Sequence, residues 1–381
     1  MFSVNAIGFA AEGLRLCVSF SEDADKDSGM SEMTQADPTY FKTIDPASRG
    51  AIAAQDPVCL YLEVSNECNL ACKTCPLTYG KVEEPAKLSL EQVRRLVSQF
   101  PTVSRVVLHG VGEPLLNREL PQIIAWLKER GIYVLFNSNG TLISKRWREA
   151  LVASRLDEIR ISLDAATPES FTRVRGKPLF EVIIKNIGGL MALKTEKGSP
   201  MPVVSLWLTG LRETLKELPG FIRLAHRLGV DRVYLQRLVY WDAMSHDQLA
   251  RPDESLFNSL EGEEQEIIQS GERLANELGV SFEASGAATP ATSLSAEVRE
   301  KPWSACMRPW TLMYISARGS AFPCCIAPFS TENLSKLSLG NAFSQDLPSI
   351  WNGESYQKFR RRLLSADPPE CCKGCGICWS L

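Results

Sequence analysis

The chain has 381 residues and a formal net charge of -3, with 42 Lys and Arg against 45 Asp and Glu. That balance gives no general basic field, so nucleic acid is not an expected partner, and no apolar run reaches the roughly 18 residues of a membrane-spanning helix. The start lacks a basic, cleavable leader pattern, which makes the cytoplasm the expected location and metal ligation or catalysis the expected use of the 12 cysteines.

Residues 1–55 hold the acidic, Ser-rich stretch 21–29 and keep no regular period, so a loosely ordered extension is expected there. An apolar strand at 58–64 then runs directly into a loop carrying Cys68, Cys72 and Cys75 in a C-x3-C-x2-C spacing. An iron-sulfur cube takes one soft ligand per iron. Three thiolates therefore leave one iron free to bind something else, a sign of catalysis more than of electron storage. A zinc knuckle and three unconnected buried thiols are the competing readings of the spacing alone.

Beyond the loop, apolar runs alternate with amphipathic stretches. Helices are expected at 89–100, 118–130, 144–153, 180–194 and 213–228, and strands at 105–109, 132–136, 158–163, 203–208 and 232–238. With strand 58–64 this is the pattern of a parallel sheet covered by helices. Right-handed crossovers would curl it into an α/β, partial (β/α)6 TIM-type barrel, with an open doubly wound sheet as the alternative. Past residue 240 the alternation stops. There 252–278 reads as helical, 284–293 as a flexible connector, 312–323 as a hairpin and 354–364 as a helix.

Polar residues gather where the expected strands end. After the second strand comes His109-Gly-Val-Gly112-Glu113-Pro114, whose glycines allow close backbone approach. After the third comes Asn137-Ser138-Asn139-Gly-Thr141, and after the fourth Ser162-Leu-Asp164. Taken singly, these suit helix caps and turns as well as a ribose. Near the C-terminus, Cys306 and Cys324 stand in a C-x12-G-x4-C spacing, and the hairpin would bring both thiols to one side. Cys371, Cys372 and Cys375 supply further ligands, so a zinc ribbon competes here. His109, His226 and His246 are too scattered for a histidine metal site, and Trp207, Trp303, Trp310 and Trp351 are expected in the core.

The loop of Cys68, Cys72 and Cys75 resembles the signature loop of the radical S-adenosylmethionine (SAM) enzymes. The resemblance implies a 4Fe-4S cluster whose open iron takes the amino and carboxylate groups of SAM. It also implies that Gly112, Glu113 and Pro114 bind the methionine ammonium, that Ser138 and Ser162 contact SAM with Asn139 and Asp164 beside them, and that Arg175 holds the SAM carboxylate. The family usually has an aromatic residue just before the third cysteine, beside the adenine. This chain has Thr74 there, and Tyr79 is the candidate substitute. The C-terminal cysteines resemble the SPASM/twitch extension, which implies a second, auxiliary 4Fe-4S cluster on Cys306, Cys324, Cys372 and Cys375, with Cys371 or Cys378 as the alternative to one of them, since Cys375 and Cys378 form a second C-x2-C. The implied organisation is an extension at 1–55, a radical SAM core barrel at 56–240, a helical segment and linker at 241–300, and a small α+β auxiliary-cluster domain at 301–381.

As the resemblance implies, an electron from the first cluster cleaves a SAM carbon-sulfur bond, and the resulting 5'-deoxyadenosyl radical abstracts a substrate hydrogen. A flavodoxin or ferredoxin would supply the electron. Residues 1–55 look too short and acidic for a peptide-binding module. The expected substrate is therefore a small metabolite, such as a sugar or natural-product intermediate, with a ribosomal peptide as the alternative. A non-catalytic iron-sulfur or zinc protein is the alternative from another class. Cys325 adjoins Cys324 on a strand and so points away from it. It reads as a buried thiol, as a hydrogen donor to a substrate radical, or as a ligand in place of its neighbour.

Overall fold

A computed structural model describes residues 44–239, 251–256, 260–284, 289–294 and 301–375, apart from 81, 332 and 374. The expectations for residues 1–43, and for Cys378 and His246, lie outside the described residues.

Among the described residues, ten strands form one sheet. In chain order they are β1 (Cys59–Leu62), β2 (Arg105–Val107), β3 (Tyr133–Ser138), β4 (Glu158–Ser162), β5 (Val203–Thr209), β6 (Arg232–Gln236), β7 (Ser281–Ala284), β8 (Leu312–Ile315), β9 (Ser320–Phe322) and β10 (Gly340–Asn341). Across the sheet the order is β10-β9-β8-β1-β2-β3-β4-β5-β6-β7. Every pair from β8 through β1 to β7 is parallel, while β9 and β10 add antiparallel pairs at one edge. This is the α/β, partial TIM-type barrel sheet that the alternating pattern implies.

Parallel neighbours need long crossovers. Helices Leu90–Val97, Leu120–Lys128, Lys145–Ala153, Phe180–Glu196, Leu218–Arg227 and Gly262–Leu278 provide them. The first shows why such a segment is helical. Ser89 accepts the Gln92 N–H while the Gln92 side chain accepts the Ser89 N–H, closing a capping box. Its buried side is Val93, Leu96 and Val97, each contributing about 1.5–3 kcal/mol on burial. No helix among the described residues is long and apolar enough to cross a membrane.

Three local expectations need correction. The alternation runs one unit past residue 240, because β7 pairs parallel with β6. Two of its four residues, Ser281 and Glu283, are exposed, so it has no apolar run to announce it. The expected helix at 213–228 is two, Arg212–Leu215 and Leu218–Arg227, with Pro219 in the first turn of the second. An additional helix, Pro168–Arg175, is capped by the Thr167 side chain and ends at Gly176, whose φ of 78° is left-handed. A Cβ on Gly176 would stand 2.4 Å from the Ala71 carbonyl oxygen, so this helix end lies directly against the cysteine loop.

The two faces of the sheet differ chemically. Leu60, Leu62, Ile159 and Ile161 enter the large apolar core under the helices. The opposite face of β4 carries half-buried Glu158, Arg160 and Ser162. On β5 and β6 that face carries Trp207, stacked on Tyr234 at 4.1 Å and half-buried. Trp207 is therefore not a core residue, and Trp303 is only half-buried; Trp310 and Trp351 are in the core as expected. Arg160 lies over Trp207 at 4.6 Å, which gives this face a cationic and aromatic lining.

Candidate active site

The first cysteine loop and the polar turns after β2, β3 and β4 leave from the carboxyl ends of parallel strands, where α/β folds place their chemistry. The cysteine loop follows β1 and is stitched to its neighbours on three sides. Lys73 N–H donates to the Val174 carbonyl at 3.0 Å, and the Cys75 thiol reaches the Val111 carbonyl at 3.9 Å. Asn139 Nδ2 lies 3.7 Å from the Cys68 sulfur and donates to Asn69 Oδ1 at 2.8 Å. Arg175 Nη1 lies 3.4 Å from the Cys72 sulfur.

The glycine-rich turn after β2 packs on the loop backbone. A Cβ on Gly112 would fall 2.2 Å from the Ser65 carbonyl oxygen, so only glycine lets the chains approach this closely. Glu113 N–H donates to the Glu67 carbonyl at 2.8 Å, and Pro114 opens a helical turn, Pro114–Leu116. The Glu113 carboxylate is 2% exposed and accepts from Leu115 N–H (3.1 Å), Ser138 Oγ (2.8 Å) and Asn139 N–H (2.8 Å). Burial nevertheless pushes it up to about 7, against those donors. A buried carboxylate of this kind is best relieved by a cation.

Asp164 is one of two non-glycine residues described with positive φ, at 61°. That turn aims its carboxylate at Arg175 (2.6 Å) and at the Thr209 N–H (2.8 Å). Burial works to lower the pKa of Arg175, but Asp164 and then Cys72 outweigh it and hold the guanidinium above its ordinary value. Ser162 closes β4, in register with Trp207, and no side-chain bond draws it into the group. Tyr79 gives its hydroxyl to the Lys73 carbonyl at 2.8 Å.

The structure thus brings together Cys68, Cys72, Cys75, Gly112, Glu113, Ser138, Asn139, Asp164 and Arg175. The sequence reading missed Asn69, whose amide bridges Asn139 and Thr141. It also missed Glu63, 3% exposed, which accepts from the Val111 N–H (2.9 Å) and the Ala317 N–H (3.1 Å). An acidic residue at the end of an apolar strand was the available signal for Glu63.

Among the described residues, no three His, Cys, Asp or Glu side chains close around a single ion. A cluster that takes one thiolate per iron spreads its ligands instead. The donor chemistry at the loop fits such a group. Burial raises Cys68 and Cys75, the latter to about 12, and the neighbouring Cys72 adds to both. Burial that holds Cys68 and Cys75 back from ionising, with Asn139 on the Cys68 sulfur and Arg175 on the Cys72 sulfur, suits a cationic partner at this loop.

At the C-terminal end, Cys306 precedes β8 while Cys324 and Cys325 follow β9. The short helix Glu370–Lys373 brings Cys371 and Cys372, whose sulfurs are 3.9 Å apart, to the same place. Burial raises Cys306 and Cys324, and Cys372 is raised by the hydrogen bond it shares with Cys371 and by burial. Cys306 also feels Cys375, and Cys372 feels Cys306 and Cys324. Burial raises Cys325 as well, with Arg308 and then Tyr61 of β1 opposing the rise.

Comparison with known proteins agrees with this geometry. The sequence model of the radical SAM superfamily matches residues 62–225, and that of the SPASM iron-sulfur cluster-binding domain matches 306–376. The PqqA peptide cyclase of Xanthomonas axonopodis pv. citri (strain 306) is 24% identical over 330 residues, covering 84% of this chain and 81% of that protein. The PqqA peptide cyclase of Granulibacter bethesdensis is 25% identical over 331 residues, covering 85% and 82%. Streptococcus suis SuiB bound to S-adenosylmethionine has the same fold, with a TM-score of 0.62, 17% identity and coverage of 85% of this chain and 72% of that one. So does anSMEcpe with bound AdoMet and the Cp18Cys peptide, with a TM-score of 0.58, 17% identity and coverage of 84% and 89%. The relatives matched along the chain bear peptide-cyclase names, which overturns the expectation of a small-metabolite substrate. The chain belongs to the radical SAM superfamily, with a C-terminal SPASM domain, and is an enzyme that uses 4Fe-4S clusters and SAM.

Proposed function

We propose that the enzyme modifies a ribosomally made peptide by oxidative radical chemistry. The observation that carries this reading is the similarity to PqqA peptide cyclases, which extends over four fifths of both proteins rather than over the cysteine loop alone.

In this reading Cys68, Cys72 and Cys75 hold the first cluster, and Cys306, Cys324, Cys372 and Cys375 hold the auxiliary one. When bound, the first cluster with SAM supplies a radical strong enough to take a hydrogen atom from an unactivated carbon. The chain's own residues bind and orient. Glu113 meets the SAM ammonium, and Ser138 and the Asn139 N–H fix that carboxylate. Arg175 meets the SAM carboxylate, with Asp164 as its positioning partner. Gly112 and Pro114 shape the turn, and Ser162 lines the strand end. Cys325 is a candidate hydrogen donor beside the inward face of β1. The core at 56–240 and the auxiliary-cluster lobe at 301–381 belong to the same proposal.

The test uses anaerobically reconstituted enzyme with SAM, a reductant and synthetic precursor peptides encoded by short reading frames beside the gene. The expected result is peptide-dependent release of 5'-deoxyadenosine and a mass change in one peptide. Peptides that all return unaltered, with no added SAM cleavage, would remove the reading.

A further inference from the structure

The inner face of the sheet changes character along its strands. Cys59, Val107, Leu135 and Leu312 pack together there as a small apolar floor. The next inward residue of a strand comes two positions later, one step nearer the carboxyl end. After Val107 that residue is His109, and after Leu135 it is Asn137, which stands in register with Arg160. Leu108 fixes the alternation, because it is buried on the helix side while its N–H continues the ladder to the Leu135 carbonyl at 2.8 Å. A closed barrel fills this level with branched apolar side chains. Here His109, Asn137, Arg160, Trp207 and Tyr234 are only half-buried, so the level is polar, aromatic and open.

Most of this lining is already held. Arg160 is paired with Glu158 by two bonds, 2.7 and 3.2 Å long, and lies 4.6 Å over Trp207. Trp207 stacks on Tyr234 at 4.1 Å and donates from Nε1 to Ser205 Oγ at 2.9 Å. His109 differs. Its Nδ1 is buried yet has no hydrogen-bond partner among the described residues. A buried polar atom left unpaired is costly, and a folded protein keeps few of them without a reason. Burial, and then the charge of Arg160, hold the ring down at about 4, so it is neutral at ordinary pH. A neutral imidazole is matched by an uncharged polar group such as a peptide amide.

We propose that His109 binds the peptide substrate, hydrogen-bonding an amide of the segment that enters the open end of the barrel beside Trp207. The inference rests on the peptide reading given above and adds to it a residue that holds the peptide. The bond fixes the position of the substrate and involves no covalent step.

The experiment compares anaerobically reconstituted wild type, His109→Leu and His109→Gln by melting temperature, iron content and initial rates on the peptide that the wild type alters. Leucine fills the space and removes the unpaired nitrogen. The expected result is a melting temperature at or above that of the wild type, full iron, and a peptide KM raised about tenfold with a smaller change in kcat, as for one lost hydrogen bond. Glutamine keeps an amide that donates or accepts, and should bring KM back toward the wild-type value. An unchanged KM in His109→Leu overturns the proposal. A His109→Leu variant that melts lower or loses iron also overturns it, because the ring then serves the fold. So does a His109→Gln variant whose KM is raised as far as that of His109→Leu, because the hydrogen bond is then not what matters. A wild type that alters no peptide removes the reading above and this inference with it, whereas an altered peptide with one KM in all three proteins removes this inference alone.

Discussion

Arg175 Nη2 lies 2.6 Å from Asp164 Oδ2 while Nη1 of the same guanidinium lies 3.4 Å from the Cys72 sulfur. One arginine therefore joins the end of β4 to the cysteine loop. Asp164→Asn tolerates the left-handed turn and keeps an acceptor for the Thr209 N–H, but leaves the buried guanidinium without its charge partner. The expected cost is about 3 kcal/mol of stability by chemical denaturation. SAM affinity should fall about tenfold, or about 1.4 kcal/mol, by calorimetric titration, with iron retained. Lower stability at unchanged affinity would show that the pair serves the fold alone.

Glu113→Ala removes the acceptor for three buried donors, the Leu115 and Asn139 N–H groups and the Ser138 hydroxyl. Each orphaned donor costs about 1–3 kcal/mol. SAM binding should be lost while the iron content stays near normal. Loss of iron instead would make Glu113 a support of the cysteine loop.

Gly112→Ala should act on iron rather than on SAM directly. The added carbon meets the Ser65 and Glu67 carbonyl oxygens, which are backbone and cannot rotate away. The loop must move, and purified protein should lose the first cluster's signal while keeping the auxiliary one. A variant with both signals intact would show that the loop adapts.

Changing Cys68, Cys72 and Cys75 together to Ala should remove about half the iron and all SAM cleavage, as one of two 4Fe-4S clusters is lost. Retained cleavage would refute the assignment. Cys325→Ala separates the roles open to that thiol. A ligand loses auxiliary iron, whereas a donor keeps both clusters and still yields 5'-deoxyadenosine without normal product.

Burial pushes Glu63 up to about 7, with the Val111 and Ala317 N–H groups and Tyr314 opposing the rise and Glu83 adding to it. An acid whose folded pKa stands above its unfolded one stabilises the fold fully below the unfolded value, near 4.5, and that contribution is lost as pH rises through 7. A shift of this size corresponds to roughly 3 kcal/mol. Glu63→Gln, neutral throughout, should therefore cost more stability at pH 5 than at pH 8 in melting experiments. A cost that is the same at both pH values would contradict the assignment.

Much of the core was legible because β1 to β6 bury apolar residues and sit between amphipathic helices, so local period and tertiary burial agree. The site was legible where spacing is short. Cys68, Cys72 and Cys75 lie within one loop, and Gly112-Glu113 within one turn. What local pattern could not supply were partners far apart in sequence. Nothing near Cys72 announces Arg175, and nothing near Glu63 announces Ala317. Strand β8 was legible as a hairpin arm but not as the parallel partner of β1, because its four buried residues look the same in either place. The substrate expectation failed for a related reason, since it was argued from residues 1–55 alone rather than from any group facing the site.

The pairing of Cys59–Leu62 with Leu312–Ile315 also bears on how the molecule is made. Contacts between segments about 250 residues apart form late, because closing so long a loop costs entropy. Until β8 arrives, one side of β1 is an open strand edge, and Glu63 lacks the Ala317 donor that helps hold it. The cysteine loop at the end of β1 is thus made well before the strand that braces it. Iron loading of a chain cut before β8 should be inefficient at Cys68, Cys72 and Cys75 as well, although none of them is removed.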